Sequence, residues 1–91
     1  MKRTIYIARC EKQHGDCFDI YPVQPTLQAA TEVAVKDRSL MSDYDQKRST
    51  HFVCGYVVEI DEGEDLTAAY NRLLVEDTLP LDPDEYTEVL L

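Results

Sequence analysis

Two runs rich in β-branched and aromatic residues open the chain, Thr4-Ile5-Tyr6-Ile7-Ala8-Arg9-Cys10 and Cys17-Phe18-Asp19-Ile20-Tyr21-Pro22-Val23. Both read as strands. The polar segment between them ends in Gly15, as a hairpin loop should. A two-residue loop at Gln13-His14 sets Cys10 opposite Cys17, Ile7 opposite Ile20 and Tyr6 opposite Tyr21. A three-residue loop with Gly15 in the left-handed region shifts that register by one.

Pro22 and Pro25 end the second strand, and Pro25 suits the first turn of a helix, where a missing N–H costs nothing. Leu27, Ala30, Val33 and Ala34 then recur at helical spacing and predict a helix over residues 27–38. Its alanines favour close approach to a sheet. Residues 39–50 are polar apart from Leu40, Met41 and Tyr44, which predicts a long loop and a contact segment. The strongest strand signal follows at residues 50–60. Phe52, Cys54, Tyr56, Val58 and Ile60 fall on one face, Val53 and Val57 on the other, as in a central strand. Leu66, Ala69, Tyr70, Leu73 and Leu74 form the clearest amphipathic helix pattern. Asp82-Pro83-Asp84-Glu85 carries the capping signature of a last helix, with Tyr86, Val89 and Leu90 as its apolar face; the alternative is a final strand over residues 86–91. The expected order is β-β-α-β-α-α. That is a single α+β domain over residues 1–91, an antiparallel three-stranded sheet with helices packed on one face.

Charge narrows the function classes. Nine basic residues against eighteen acidic ones give a net charge of −9. The excess is concentrated: residues 59–91 hold eleven acidic residues and one basic residue, Arg72, while residues 1–58 are nearly balanced. Direct nucleic-acid binding needs a basic footprint and is not expected. No run approaches the roughly 20 apolar residues of a membrane span, and no long apolar stretch follows the basic N-terminus as in a secretory signal. A cytoplasmic location without membrane contact is the expectation.

The residues that look like chemistry form no convergent set. Cys10 and Cys17 flank His14 and Asp16, but their separation is wider than the Cys-x2–4-Cys pairs of structural zinc sites. Cys54 and His14 complete a four-ligand set only if the third strand lies beside the cysteine end of the hairpin. Adjacent residues of one tight turn are poor partners for a Cys-His-Asp hydrolase, because a fold normally brings such groups together. The cysteines read as small buried hydrophobes, and His51, at a strand start, as a half-exposed polar residue. Asp61-Glu62-Gly63-Glu64-Asp65 lacks the calcium-loop spacing of glycine and a distant bidentate glutamate. No glycine-rich phosphate loop is present. Neither a catalytic residue, a metal nor a cofactor is expected, and the chain is not expected to be an enzyme.

What remains is binding. The acidic half predicts a docking face for a protein with a basic surface, carried by Glu59, Asp61, Glu62, Glu64, Asp65, Glu76 and Asp77, with Asp43, Tyr44 and Asp45 as a second patch. Carboxylates on successive helix turns imitate part of the charge array of duplex DNA, about one charge per 1.7 Å. A protein built so occludes a nucleic-acid-binding groove. In size, charge and α+β build the chain is similar to small acidic phage or mobile-element inhibitors of restriction and CRISPR systems, with no motif shared. The alternative expectation is a structural or assembly protein, a homodimer closed over an apolar patch containing Tyr6 and Tyr21. Tyr56 and Tyr70 read as core.

Overall fold

The structure, a computed structural model, describes residues 1–90. Strands β1 (Lys2–Lys12) and β2 (Cys17–Gln24) form the hairpin. Its loop is the three-residue form. Lys12 N–H donates to Asp16 O at 2.7 Å, Gly15 N–H donates to Lys12 O at 2.9 Å, and Gly15 has a φ of 99°. Glycine adopts that backbone without a Cβ penalty. Cys10 consequently lies opposite Phe18, and Cys17 lies opposite Glu11. The shorter-loop register is corrected, and Cys10 and Cys17 point to opposite faces. Nearer the other end of the ribbon the pairing is interrupted between Tyr6 and Ala8, opposite Pro22, which has no N–H for a ladder.

Helix α1 (Leu27–Ser39) is capped by Thr26, whose Oγ1 accepts the Ala29 N–H at 3.1 Å. Pro25 stands just before the cap rather than inside the first turn. Residues 39–50 are not all loop: they contain the one-turn helix α2 (Asp43–Lys47), capped by Ser42. Strand β3 (Ser49–Glu59) and helix α3 (Leu66–Val75) match the two strongest periodic signals, and Asp65 caps α3. No helix among the described residues is long and apolar enough to cross a membrane.

The C-terminal segment forms strand β4 (Glu85–Glu88), where the capping signature predicts a helix. Leu91, part of the strand alternative, lies outside the described residues. The cause is non-local. β3 has β1 on one side, and its other edge needs hydrogen-bond partners; Glu85 to Glu88 pair with Gly55 to Phe52 along it. Tyr86 packs its ring 5.1 Å from that of Phe52. A short helix would gain little against its nucleation cost. The sheet therefore has four strands, not three, in the antiparallel order β2-β1-β3-β4.

The helices lie on both faces, not on one. Residues paired across the ladder share a face, and neighbours along a strand alternate. Ile5 with Tyr56, Ile7 with Cys54 and Arg9 with Phe52 form one face. There α3 brings Ala69, Tyr70 and Leu73 onto the main core, together with Val58 and Ile60. Ala8 with Val53 and Cys10 with His51 form the other face. There α1 buries Ala30 and Ala34 completely, and its Asp37 bonds to His51. His51 is thus buried, 1% exposed, rather than half-exposed. A bulky-faced helix suits the wide first face, and the alanine face of α1 suits the close second one.

Tyr6 and Tyr21 do not form a shared patch. Tyr21 lies 6.3 Å, ring to ring, from Tyr70 on the α3 side, whereas the Tyr6 ring lies over Gly55 on the other side. Tyr56 and Tyr70 are core, and their hydroxyls are held inside rather than left at the edge. Arg9 donates to Asp19 Oδ1 at 2.9 Å, to the Tyr56 hydroxyl at 2.7 Å and to the Tyr70 hydroxyl at 3.1 Å. Tyr70 donates to Asp19 Oδ2 at 2.6 Å, closing the ring of bonds. The network ties β1, β2, β3 and α3 together. Burial first, then the Asp19 carboxylate, pushes the Tyr70 hydroxyl well above the ordinary tyrosine value, so it remains a donor.

Candidate acidic docking surface

β4 pairs with β3 only as far as Gly55, so the outer edge of β3 beyond it has no strand beside it. Side chains take over there. Asp84 Oδ2 accepts the Val57 N–H at 2.7 Å, and Arg72 reaches the Glu59 carbonyl at 3.5 Å. Between this edge, the end of α3 and the following linker lies an open groove of about 400 Å³. Val57, Leu73 and Pro80 give it apolar surface; Glu59, Asp61 and Glu76 supply its acidic groups and Arg72 its cation.

Each carboxylate has a local reason for its position. Gly63, at a φ of 76°, lets the chain turn between β3 and α3 and leaves Asp61 and Glu62 exposed on that turn. Asp65 accepts the Ala68 N–H at 3.0 Å as the helix cap. Glu64 accepts from the Asp61 N–H at 3.1 Å and from Arg72 at 3.0 Å. Glu76, one turn after Arg72, bonds it at 2.9 Å. Hydrogen bonds from Arg72 hold the Glu64 carboxyl below its ordinary value. Glu59 takes the Met1 amine at 2.7 Å and is held low by that contact. Asp77, with a φ of 55°, follows the end of α3 and is exposed.

Of the seven carboxylates expected in the acidic half, Glu59, Asp61 and Glu76 line the groove and Glu64 joins them through Arg72, but the seven are not equivalent. Glu59, Glu64 and Glu76 are paired within the chain, and Asp65 serves the helix. Asp61, Glu62 and Asp77 make no side-chain hydrogen bond or ion pair among the described residues and carry the outward charge. Arg72 is what the sequence reading missed. Its four-residue spacing to Glu76 was legible; its reach to Glu64 depends on where α3 begins.

Asp43, Tyr44 and Asp45 are not brought to this groove. They sit on α2, beside the start of β3, and the eleven residues of β3 span roughly 35 Å at a strand's rise per residue. At that end Arg48 stacks over the Tyr44 ring at 4.2 Å and donates to Gln13 at 2.8 Å, with Lys12 and Lys47 nearby. Acidic and basic groups mix there, so the second patch is not an extension of the first. His14, at the hairpin tip, bonds Asp16 at 2.7 Å, and the four-ligand set of Cys10, Cys17, Cys54 and His14 is not assembled. No family model, curated protein or solved structure matches this chain.

Proposed function

We propose that this chain is a protein-binding module that docks its acidic end against a basic surface of another protein and occludes it, as an inhibitor of a nucleic-acid-binding partner. The observation that carries this reading is an open groove with apolar surface and acidic lining, in which the unpaired Asp61 takes part and whose lining residues Asp61 and Glu76 are followed in the chain by the exposed, unpaired Glu62 and Asp77. Charge alone steers encounter; exposed Val57 and Pro80 beside it supply area that excludes water once contact is made. The end that carries α2 mixes Lys12, Lys47 and Arg48 with Glu11, Asp43 and Asp45, so the acidic excess of a molecule 42 Å long is not spread evenly, which orients approach. The partner has lysines and arginines around a site that normally holds phosphates, within the cytoplasm.

The test starts from a host protein fraction retained on DNA-cellulose. The immobilised chain should capture a component of it at low salt, release it between 50 and 300 mM salt on the order of the screening length falling below 10 Å, and release it to added duplex DNA. The triple variant Asp61→Lys, Glu62→Lys, Asp77→Lys should capture none of it. Capture that ignores salt, DNA and charge reversal alike rejects the reading.

A further inference from the structure

On the face opposite the main core, the structure joins three groups that the sequence keeps 27 and 14 residues apart, in the order Cys10, Asp37 and His51. The β1–β3 register sets Cys10 directly across from His51, and the last turn of α1 lays Asp37 over them. The Cys10 sulfur, a ring nitrogen of His51 and a carboxylate oxygen of Asp37 lie within 4.8 Å of one another. Cys10 is 3% exposed and His51 1%, while the Asp37 side chain is 36% exposed.

One atom in this cluster is not accounted for by folding. His51 Nε2 lies 2.9 Å from Asp37 Oδ2, a hydrogen bond that fixes the ring. His51 Nδ1 is buried with no partner. A polar atom left so costs about 1–3 kcal/mol, and native folds tolerate few of them.

We propose that Cys10, His51 and Asp37 form a binding site for a borderline-soft divalent cation of the zinc type. The donor set is thiolate, imidazole and carboxylate, the set that zinc and cobalt(II) accept and that calcium and magnesium, which require oxygen, do not. Zinc bonds of roughly 2.0 Å to nitrogen or oxygen and 2.3 Å to sulfur need ligand atoms about 3.3–3.6 Å apart in a tetrahedron. Cys10 has to move in on the pair by about an ångström, while the 2.9 Å His51–Asp37 hydrogen bond has to open and give way to the metal bonds. Charge balances: a thiolate and a carboxylate neutralise the dication, so the buried site carries no net charge. Binding releases one proton, from the Cys10 thiol. The fourth position belongs to water, reached past Asp37, which also lines a surface groove with Ile20, Pro22 and Leu40. The site is far along β3 from the acidic groove and stands independently of the docking proposal.

The metal alone is the probe. Protein stripped with chelator is titrated with cobalt(II). One equivalent should bind, with a thiolate-to-cobalt charge-transfer band in the near ultraviolet and visible bands of tetrahedral intensity; zinc should displace it and raise the thermal midpoint. Cys10→Ala, a small substitution at a buried position, should remove the charge-transfer band and weaken zinc binding on the order of 100-fold or more. Cys17→Ser, at an exposed position, should leave both unchanged. His51→Gln separates folding from ligation: if it folds, it should bind weakly, and if it does not, Cys10→Ala still decides. Substoichiometric binding, a spectrum without the thiolate band, or equal affinity in Cys10→Ala overturns the proposal and leaves the cluster as a tether of α1 to the sheet.

Discussion

The carboxylate of Asp84 accepts the backbone N–H of Val57 at 2.7 Å, just past the point where β4 stops pairing with β3. A side chain thus continues the ladder for one more bond. Asp84 N–H also donates to Gly55 O at 2.8 Å, so the residue grips β3 twice. The grip brings the C-terminal segment to the strand edge beside Val57, which lines the acidic groove.

Asp84→Ala should therefore loosen β4 while leaving the other three strands intact. A charge-assisted bond at an accessible edge predicts a loss of about 1 kcal/mol in global stability. Hydrogen exchange reads it locally: faster exchange at Val57 and at the β4 amides, with little change at Ile5 or Ile7. Asp82→Ala serves as the control. Asp82 would cap the helix suggested by the sequence, but no strand contact uses it, so its removal should change neither readout.

The Arg9 network predicts a larger effect. Arg9 and Asp19 have side chains 16% and 25% exposed, and Arg9 holds two core tyrosines as well. Arg9→Met keeps the aliphatic volume but leaves the Tyr56 hydroxyl without a partner and Asp19 with only the Tyr70 hydroxyl, with a cost of about 2–4 kcal/mol. Tyr70→Phe removes one donor and one acceptor and should cost about 1–2 kcal/mol. Because the two substitutions share bonds, the double variant should lose less than the sum. Urea unfolding of the four proteins measures this; additive losses would mean the bonds act independently.

Acid sensitivity follows from the pairing at the groove. Arg72 holds the Glu64 carboxyl below its ordinary 4.5. A carboxyl lowered by folding contributes stability that is complete above its unfolded value and is lost as pH falls through the lower folded value. The urea midpoint of the wild-type protein should thus be flat above about pH 5 for this pair and decline below the ordinary carboxylate range. Arg72→Met should flatten part of that decline. If the variant and the wild type fall in parallel from pH 5 to pH 2, Arg72 is not the group responsible.

Local sequence signals were sufficient where the determinant is local. Gly15 indicated both possible hairpin loops, the alternation of β3 marked a strand apolar on both sides, and the spacing from Leu66 to Leu74 marked α3. The two-sided apolarity of β3 was also the clue to helices on both faces, but nothing in α1 or α3 alone says which face each takes. At the C-terminus a strong local cap at Asp82-Pro83-Asp84 was outweighed by an unpaired strand edge thirty residues earlier. In the candidate surface, the contiguous carboxylates from Asp61 to Asp65 were legible. Their division into paired and free groups was not, because it depends on where Arg72 points. Cys10, Asp37 and His51 carry no spacing rule; only the β1–β3 register brings them together.

Gly55 offers the sharpest test of that register. It sits on β3 between β1 and β4, under the ring of Tyr6. A Cβ there would lie 2.9 Å from Tyr6 Cε1 and 3.2 Å from Glu85 Cβ. Gly55→Ala should force the ring aside and strain the approach of β4, destabilising the protein by about 1–3 kcal/mol. Tyr6→Ala removes the nearer obstacle. In the Tyr6→Ala background the 2.9 Å obstacle is gone and Glu85 Cβ at 3.2 Å remains, so the cost should shrink to about 1 kcal/mol or less, a coupling that a double-mutant cycle measures directly. Equal cost in both backgrounds would mean that the ring is not over Gly55. The pairing of Tyr6 with Gly55 would then be wrong, and with it the pairing of Cys10 with His51 four residues along the same ladder.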